Sequence, residues 1–554
     1  MDENLAKAPD LIAIRAAVFT GDAAGTSAEA FAVVDGKFSA VGSSEEIARL
    51  AGPKTVVLDA GGKMLMPGIC DVHLHLGLGG AAEAWDLRIP PDYGPEEVCE
   101  TIRARAAESA PGEWIVGGFV GSVTMAKLAN VEALAKLDEA AGGRPVLLRD
   151  DTQHNRWVNS AALQAMGVED SSPDPEGGTY VRDEAGRLTG ILWEQASRVA
   201  EEAFAASIEN PDARHRVTYE TAAKLCNQYG VTTACEAATM EPALRTLSAM
   251  DAEGSLTLRV VASTVARPLL AEPGITGKEL LAVSEQFGSE LLHVGFVKVF
   301  LDGVPMTRTA AMLDPYLPHG CHGESAGECL YDLAALVDEL EEAVSAGRGV
   351  KIHAAGDAST RMALDAIAVM RERHGPAPRF HIAHNLFVAP ADVRRFGELG
   401  IVADASPYLW YPGIIQDSLS ACVPARTIEN SWPLKDLLDS GANVSAGSDW
   451  PVALPAPHPW TGIETMVTRE APGGSAETVN PAQRLTLHEA LVSFTRRPAE
   501  ALGLGAEVGS IEVGKSADFL VLSQNLFEIE VRRIHETDVL ATYLRGKQVY
   551  DATS

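Results

Sequence analysis

The chain has 554 residues, of which 46% are hydrophobic and 22% charged, and a formal net charge of −31. That length is too great for one small core and fits one large barrel or about two to three domains. The acidic balance argues against nucleic-acid binding and against attraction to anionic membranes, both of which need basic patches.

The opening residues, Met1-Asp2-Glu3-Asn4, lack the basic start and apolar stretch of a secretion signal. No apolar run reaches the roughly 18 residues that a membrane span needs. The cysteines are scattered, with no Cys-x-x-Cys pair, which is the pattern of reduced, buried thiols. These features predict a cytoplasmic protein.

In chain order, residues 11–17, 30–34, 37–41 and 55–59 read as short strands joined by tight turns. Residues 519–522, 539–544 and 549–550 do the same at the far end. The two ends, 1–63 and 508–554, are predicted to meet in one small β-sandwich. Between them, in 64–507, apolar runs occur at 64–75, 230–236, 256–264, 294–302, 349–353, 380–384, 401–406 and 444–449. Helical stretches at 213–229, 332–346, 358–373 and 434–439 lie between many of these runs. Parallel strands alternating with crossover helices predict an α/β fold, the (β/α)8 TIM barrel. The gap between the first two runs is roughly 150 residues, far beyond a normal crossover. It carries its own strand signals at 114–119 and 145–149, so residues 77–212 are expected to form an inserted subdomain over the barrel mouth.

Polar residues punctuate the strand ends. The first run closes with Asp71-Val72-His73-Leu74-His75. Residues i and i+2 of a strand face the same way, so both imidazoles can share one metal ion, with Asp71 a candidate to orient a ring. Taken alone, His-x-His is a weak signal and more often ordinary polar surface. The fourth run, however, contains Lys298, and the fifth ends in Lys351-Ile352-His353. The sixth reads Phe380-His381-Ile382-Ala383-His384, and the eighth ends in Gly447-Ser448-Asp449. Catalytic groups of such barrels stand at these C-terminal strand ends. Imidazole with carboxylate suits zinc and similar divalent ions. A buried ammonium beside two cations is unfavourable, so Lys298 is expected as a neutral amine that has added carbon dioxide and bridges two metals. His381 and His384 lie an odd number apart, and a regular strand would send them to opposite faces.

With these motifs the chain resembles the amidohydrolase superfamily, in the YtcJ-like, amidohydrolase 3 branch that includes N-substituted formamide deformylases. The most specific matches are Pro67–His75, Lys298-Val299-Phe300-Leu301-Asp302-Gly303, His353-Ala354-Ala355-Gly356-Asp357, Gly447-Ser448-Asp449-Trp450-Pro451 and Gly514-Lys515-Ser516-Ala517-Asp518. The resemblance implies one or two divalent metals, with two Zn2+ the first choice, and hydrolysis of an amide-type C–N bond in a small molecule. It places His73, His75 and Asp449 on the first metal. His353 and His384 fall on the second, with His381 the alternative to His384, and Lys298 bridges as N6-carboxylysine. Asp302 and Asp357 would shape loops.

In that family chemistry a metal-activated water attacks the substrate carbonyl, and Asp449 carries the proton to the leaving nitrogen. His154, in the insertion, is the candidate donor to the oxyanion. Trp85, Trp157, Trp193, Tyr408, Trp410 and Trp450 are candidate substrate walls, and Arg308 could meet a carboxylate. An ester or lactone hydrolase, or a deaminase, would use the same metal centre. The deaminase reading is weakened by His353-Ala354-Ala355-Gly356, where a His-x-x-Glu shuttle is expected. A non-catalytic barrel would have lost ligand types that are all present here. A homodimer is the default assembly.

Overall fold

Gly68 splits the apolar run 64–75 into two strands that belong to different sheets. The computed structural model describes residues 7–151, 155–267, 274–318, 325–452 and 454–553. Met64–Pro67 pairs with Phe519–Leu522 in a sheet shared by both chain ends, whereas Ile69–Leu74 begins the barrel. The sequence reads as one strand because both halves are apolar and buried. The break is forced at Gly68, whose amide donates to Asp518 O at 2.9 Å. A Cβ there would lie 2.1 Å from Thr232 Oγ1.

The chain ends build two packed sheets. Leu11–Ile14, Ala30–Val34, Lys37–Gly42 and Val56–Asp59 form a four-stranded sheet. Ala17–Phe19, Ser27–Ala28 and Met64–Pro67 join Phe519–Leu522, Val539–Leu544 and Lys547–Asp551 in a six-stranded one. The stretch 11–17 passes from one sheet to the other at Arg15, whose φ is 53°. Aromatic rings fill the space between: Phe31 meets Phe519 edge-on at 4.8 Å, and Phe519 stacks on Tyr543 at 4.3 Å.

The barrel sheet has eight parallel strands in sequential order. They are β1 (Ile69–Leu74), β2 (Val231–Thr239), β3 (Arg259–Val265), β4 (Leu292–Phe300), β5 (Gly349–Ala354), β6 (Phe380–His384), β7 (Val402–Ala405) and β8 (Asn443–Ala446). Each of the eight runs anticipated from the sequence overlaps one of them. β1 and β8 are the sheet's two ends, and they are tied just past β8, where Asp449 N donates to His73 O at 2.7 Å and His75 N to Trp450 O at 2.8 Å. Asp71 reinforces the seam. Its carboxylate accepts the amides of His73 and Ser448, each at 3.0 Å. It therefore holds backbone and does not orient an imidazole, contrary to the sequence expectation.

Helices Pro211–Gln228, Leu333–Ser345, Asp357–His374 and Leu434–Asp439 occupy the expected crossovers. Between β1 and β2 lies a further six-stranded sheet, ordered Gly178–Arg182, Leu188–Glu194, Arg156–Val158, Val146–Asp150, Ile115–Val120 and Leu87–Arg88. Its core contains Trp157, Ile102 and Leu137. Residues of this sheet and of the barrel strand ends line one cavity, so the layer covers the barrel mouth. Among the described residues no helix is long and apolar enough to cross a membrane.

Candidate metal centre

The strand ends bring the expected ligands to one place. One donor atom from each of His73, His75 and Asp449 lies within 4.8 Å of the others. Asp449 Oδ1 is 3.7 Å from His73 Nε2 and 3.5 Å from His75 Nε2. Its other oxygen is 3.7 Å from His384 Nδ1, and His384 Nε2 stands 2.9 Å from His353 Nδ1. Lys298 Nζ lies 3.2 Å from His73 Nε2. His73, His75, Lys298, His353, His384 and Asp449 all line the same cavity.

Backbone conformation resolves the parity of β6. His384 has φ 76° and Asn385 φ 45°, both left-handed. Asn385 Nδ2 fixes this turn by donating to Asp404 O at 2.8 Å. The turn sends the His384 ring to His353 and Asp449, despite its odd spacing from His381. His381 instead sits 3.2 Å from Lys351 Nζ and 3.2 Å from Ala501 O. Asp449 is also left-handed, at φ 55°. Strained backbone of this kind collects where surrounding structure aims a functional side chain.

Burial, with the charges of Lys298 and Lys351, holds His73 well below the usual imidazole range. Burial and the neighbouring His353 do the same to His384. Both rings are therefore neutral, the form that binds metal. Lys298 is pushed down to about 8, first by burial and then by Lys351. Lys351 itself moves the other way. Burial opposes its charge, but the Asp404 carboxylate at 2.7 Å outweighs that and holds it above its ordinary value.

Asp302 shapes the loop after β4, in keeping with its expected role. Its carboxylate accepts from the amides of Ala311, Ala355 and Gly356 and from Ser359 Oγ, at 2.6–3.0 Å. Asp357 accepts the Leu313 amide at 2.7 Å. Two supports escaped the sequence reading. Asp404 lies 2.9 Å from His73 Nδ1, and Lys351 donates to Asp404. Glu236 Oε1 comes no nearer to His75 Nδ1 than 3.9 Å, beyond hydrogen-bond reach. Lys351 had a usable signal: it sits two residues before His353, so the two share a face of β5.

The cavity measures about 510 Å3. Its walls are mostly apolar, including Leu78, Ile89, Phe119, Phe300, Met306 and Leu386, and its charged lining residues include Arg88, Asp151, Arg156, Glu194 and Arg198. Trp85, Trp157, Arg308, Trp410 and Trp450 are not among the lining residues. Trp157 is buried in the core of the inserted sheet, and Trp410 packs on Trp432 at 6.2 Å. Trp85 donates to Thr218 Oγ1 at 3.1 Å beneath the Arg214 guanidinium. Trp450 lies behind the wall, donating to Pro455 O at 3.1 Å, and Arg308 bonds Leu317 O. Large rings with one polar edge serve here as packing, and smaller side chains face the space. Tyr408 is likewise buried, its hydroxyl donating to His458 O at 3.0 Å, while Trp193 is 45% exposed. His154 lies outside the described residues.

Residues 56–550 match the model of the amidohydrolase family. The chain belongs to that family. Among curated relatives, Protein LONG AFTER FAR-RED 3 of Arabidopsis thaliana is 30% identical over 98% of this chain and 91% of that protein. N-substituted formamide deformylase of Arthrobacter pascens is 29% identical over 98% of this chain and 99% of that protein. A metal-dependent hydrolase structure from Pyrococcus horikoshii superimposes with a TM-score of 0.75 at 22% identity, covering 94% of this chain and 99% of that one. The donor set of this amidohydrolase fits a divalent metal on its own geometry. Two imidazoles and a carboxylate converge, and His73 Nδ1 is engaged by Asp404, which leaves its Nε2 to face the other donors.

Proposed function

We propose that this amidohydrolase cleaves an amide-type C–N bond in a small molecule with a substantial apolar substituent. The observation that carries this reading is the convergence of His73, His75 and Asp449 at the floor of an apolar cavity. The deformylase relative supports the bond type. His73, His75 and Asp449 would hold one divalent ion, and His353 and His384 a second. Lys298 would bridge them as N6-carboxylysine: a bond forms between Nζ and the carbon of carbon dioxide, and the amine gives up a proton. Bound ions supply Lewis acidity and lower the pKa of water at the site.

The protein's own groups do the rest. Asp449, whose two oxygens face different histidines, accepts the proton of the attacking water and returns it to the leaving nitrogen. His154 keeps its proposed role as donor to the developing oxyanion. The apolar walls desolvate the substituent and orient the carbonyl over the floor.

The test is a panel of formamides, N-acyl amines, lactams, esters and lactones offered to the metal-loaded protein. Amine release from an amide carrying an aryl or alkyl group is the expected result. Turnover confined to esters or lactones, or none with metal bound, would sink the reading.

A further inference from the structure

Beneath the metal-facing rings runs a buried polar chain that the proposed reaction leaves unused. Asp404, on β7, is fully buried, as is Lys351 on β5. Asp404 Oδ2 lies 2.9 Å from His73 Nδ1 and accepts from Lys351 Nζ at 2.7 Å. Lys351 donates again, at 2.8 Å, to the carbonyl of Val72, the residue before His73. We propose that Asp404 is a positioning residue for His73: its carboxylate accepts a hydrogen bond from Nδ1–H and turns Nε2 towards the mouth, while Lys351 clamps Asp404 to the β1 backbone. The inference rests on the reading that His73 binds a metal.

A neutral imidazole carries one proton on two nitrogens, so the partner of one nitrogen sets the role of the other. A carboxylate can only accept, which places the proton on Nδ1. The lone pair of Nε2 then points to Lys298 Nζ at 3.2 Å and Asp449 Oδ1 at 3.7 Å. The arrangement is not shared by the neighbouring ring. Among the described residues His75 Nδ1 is buried without a hydrogen-bond partner, with Glu236 no nearer than 3.9 Å. The rival account is that Asp404 merely neutralises Lys351. That account gives the carboxylate no task at His73.

Replacing both members of the pair separates the two. Lys351→Met with Asp404→Leu leaves no buried charge unpaired, yet strips His73 of its acceptor. The expected result is a folded protein that binds its tighter metal roughly 10- to 100-fold more weakly in competition with a chromogenic chelator. Asp404→Asn, whose amide oxygen still accepts, should fall between the double variant and the wild type. A folded double variant with wild-type metal affinity overturns the proposal. If the double variant does not fold, NMR of isotope-labelled histidine in the metal-free wild type decides: a proton on His73 Nδ1 is expected, and one on Nε2 overturns it. A wild type that takes up no metal at all is a different result, and it removes the metal-centre reading itself.

Discussion

Lys298 and Lys351 are register partners on adjacent strands, yet one faces the His73 ring and the other is locked to a carboxylate. Two buried ammonium groups side by side are costly, and the structure divides the burden unequally. Lys351 keeps its charge on Asp404, and Lys298 is left as the amine that gives up its proton easily. The sign of the pH effect follows. The Lys298 value falls from 10.5 to about 8 in the folded protein, so its burial penalty is fully present below about 8 and disappears as pH rises towards 10.5. Metal-free Lys298→Met should therefore melt above the wild type at neutral pH, with the gap closing across that window. A gap that does not change with pH would contradict this division of charge.

The same amine should be the site of carboxylation. Protein loaded with divalent metal in bicarbonate is expected to gain the mass of one carbon dioxide under gentle ionisation and to bind two metals per chain. Lys298→Ala should lose the added mass, drop to a single metal and lose most of its activity. Full activity and unchanged metal content in that variant would remove the bridging carbamate from the mechanism.

His381 and His384 separate cleanly by variant. His384 meets His353 and Asp449, whereas His381 props Lys351 and the Ala501 carbonyl. His384→Ala should lose metal and activity while melting near the wild type. His381→Ala should keep metal and lose stability, by roughly 1–3 kcal/mol for the groups left unpaired. Metal analysis and thermal unfolding of both variants check this, and the reverse pattern would reassign the ligand.

Much of this arrangement was readable from residue order, because strand ends in a barrel are where chain position and function coincide. His73, His75, His353 and Asp449 stand at or just past the ends of apolar runs, and the two-residue period gives the common facing of His73 and His75. His384 was ambiguous because the rule assumes a regular strand, whereas its φ of 76° opens a left-handed turn that Asn385 Nδ2 braces by donating to Asp404 O. Asp404 was hidden for a related reason. A single acid inside the apolar run Ile401-Val402-Ala403-Asp404-Ala405 gives no sign of a partner until β5 brings Lys351 against it. The tryptophans misled in the opposite direction. Composition suggests aromatic walls, but which rings face a cavity depends on packing across three layers that local sequence does not encode.

That packing yields a test of the cavity wall. Trp157 is fully buried in the inserted sheet, so Trp157→Ala should cost roughly 3–5 kcal/mol of stability, as truncation of a core aromatic does. Phe119 lines the cavity, in a left-handed conformation at φ 72°. Phe119→Ala should instead raise KM for amides with bulky substituents and spare small ones. Steady-state kinetics on a substrate pair differing only in that substituent would show it. Equal effects on both substrates would place Phe119 outside the substrate contact.

Gly68 joins the terminal sheets to the barrel, and its effect should reach the metal. A Cβ at this position would lie 2.1 Å from Thr232 Oγ1 and 2.5 Å from its Cγ2, and Thr232 is buried in β2. Gly68→Ala must therefore push β1 and β2 apart, an overpacking expected to cost roughly 1–3 kcal/mol. Because Cys70 pairs with Thr233 and His73 follows on the same strand, the shift should also loosen the metal site. Thr232→Gly removes the clashing atoms, so the double variant should melt higher than the sum of the single effects predicts, with metal affinity restored alongside. Strict additivity in unfolding free energy would show that the two residues do not press on each other and that the break in the strand has another cause.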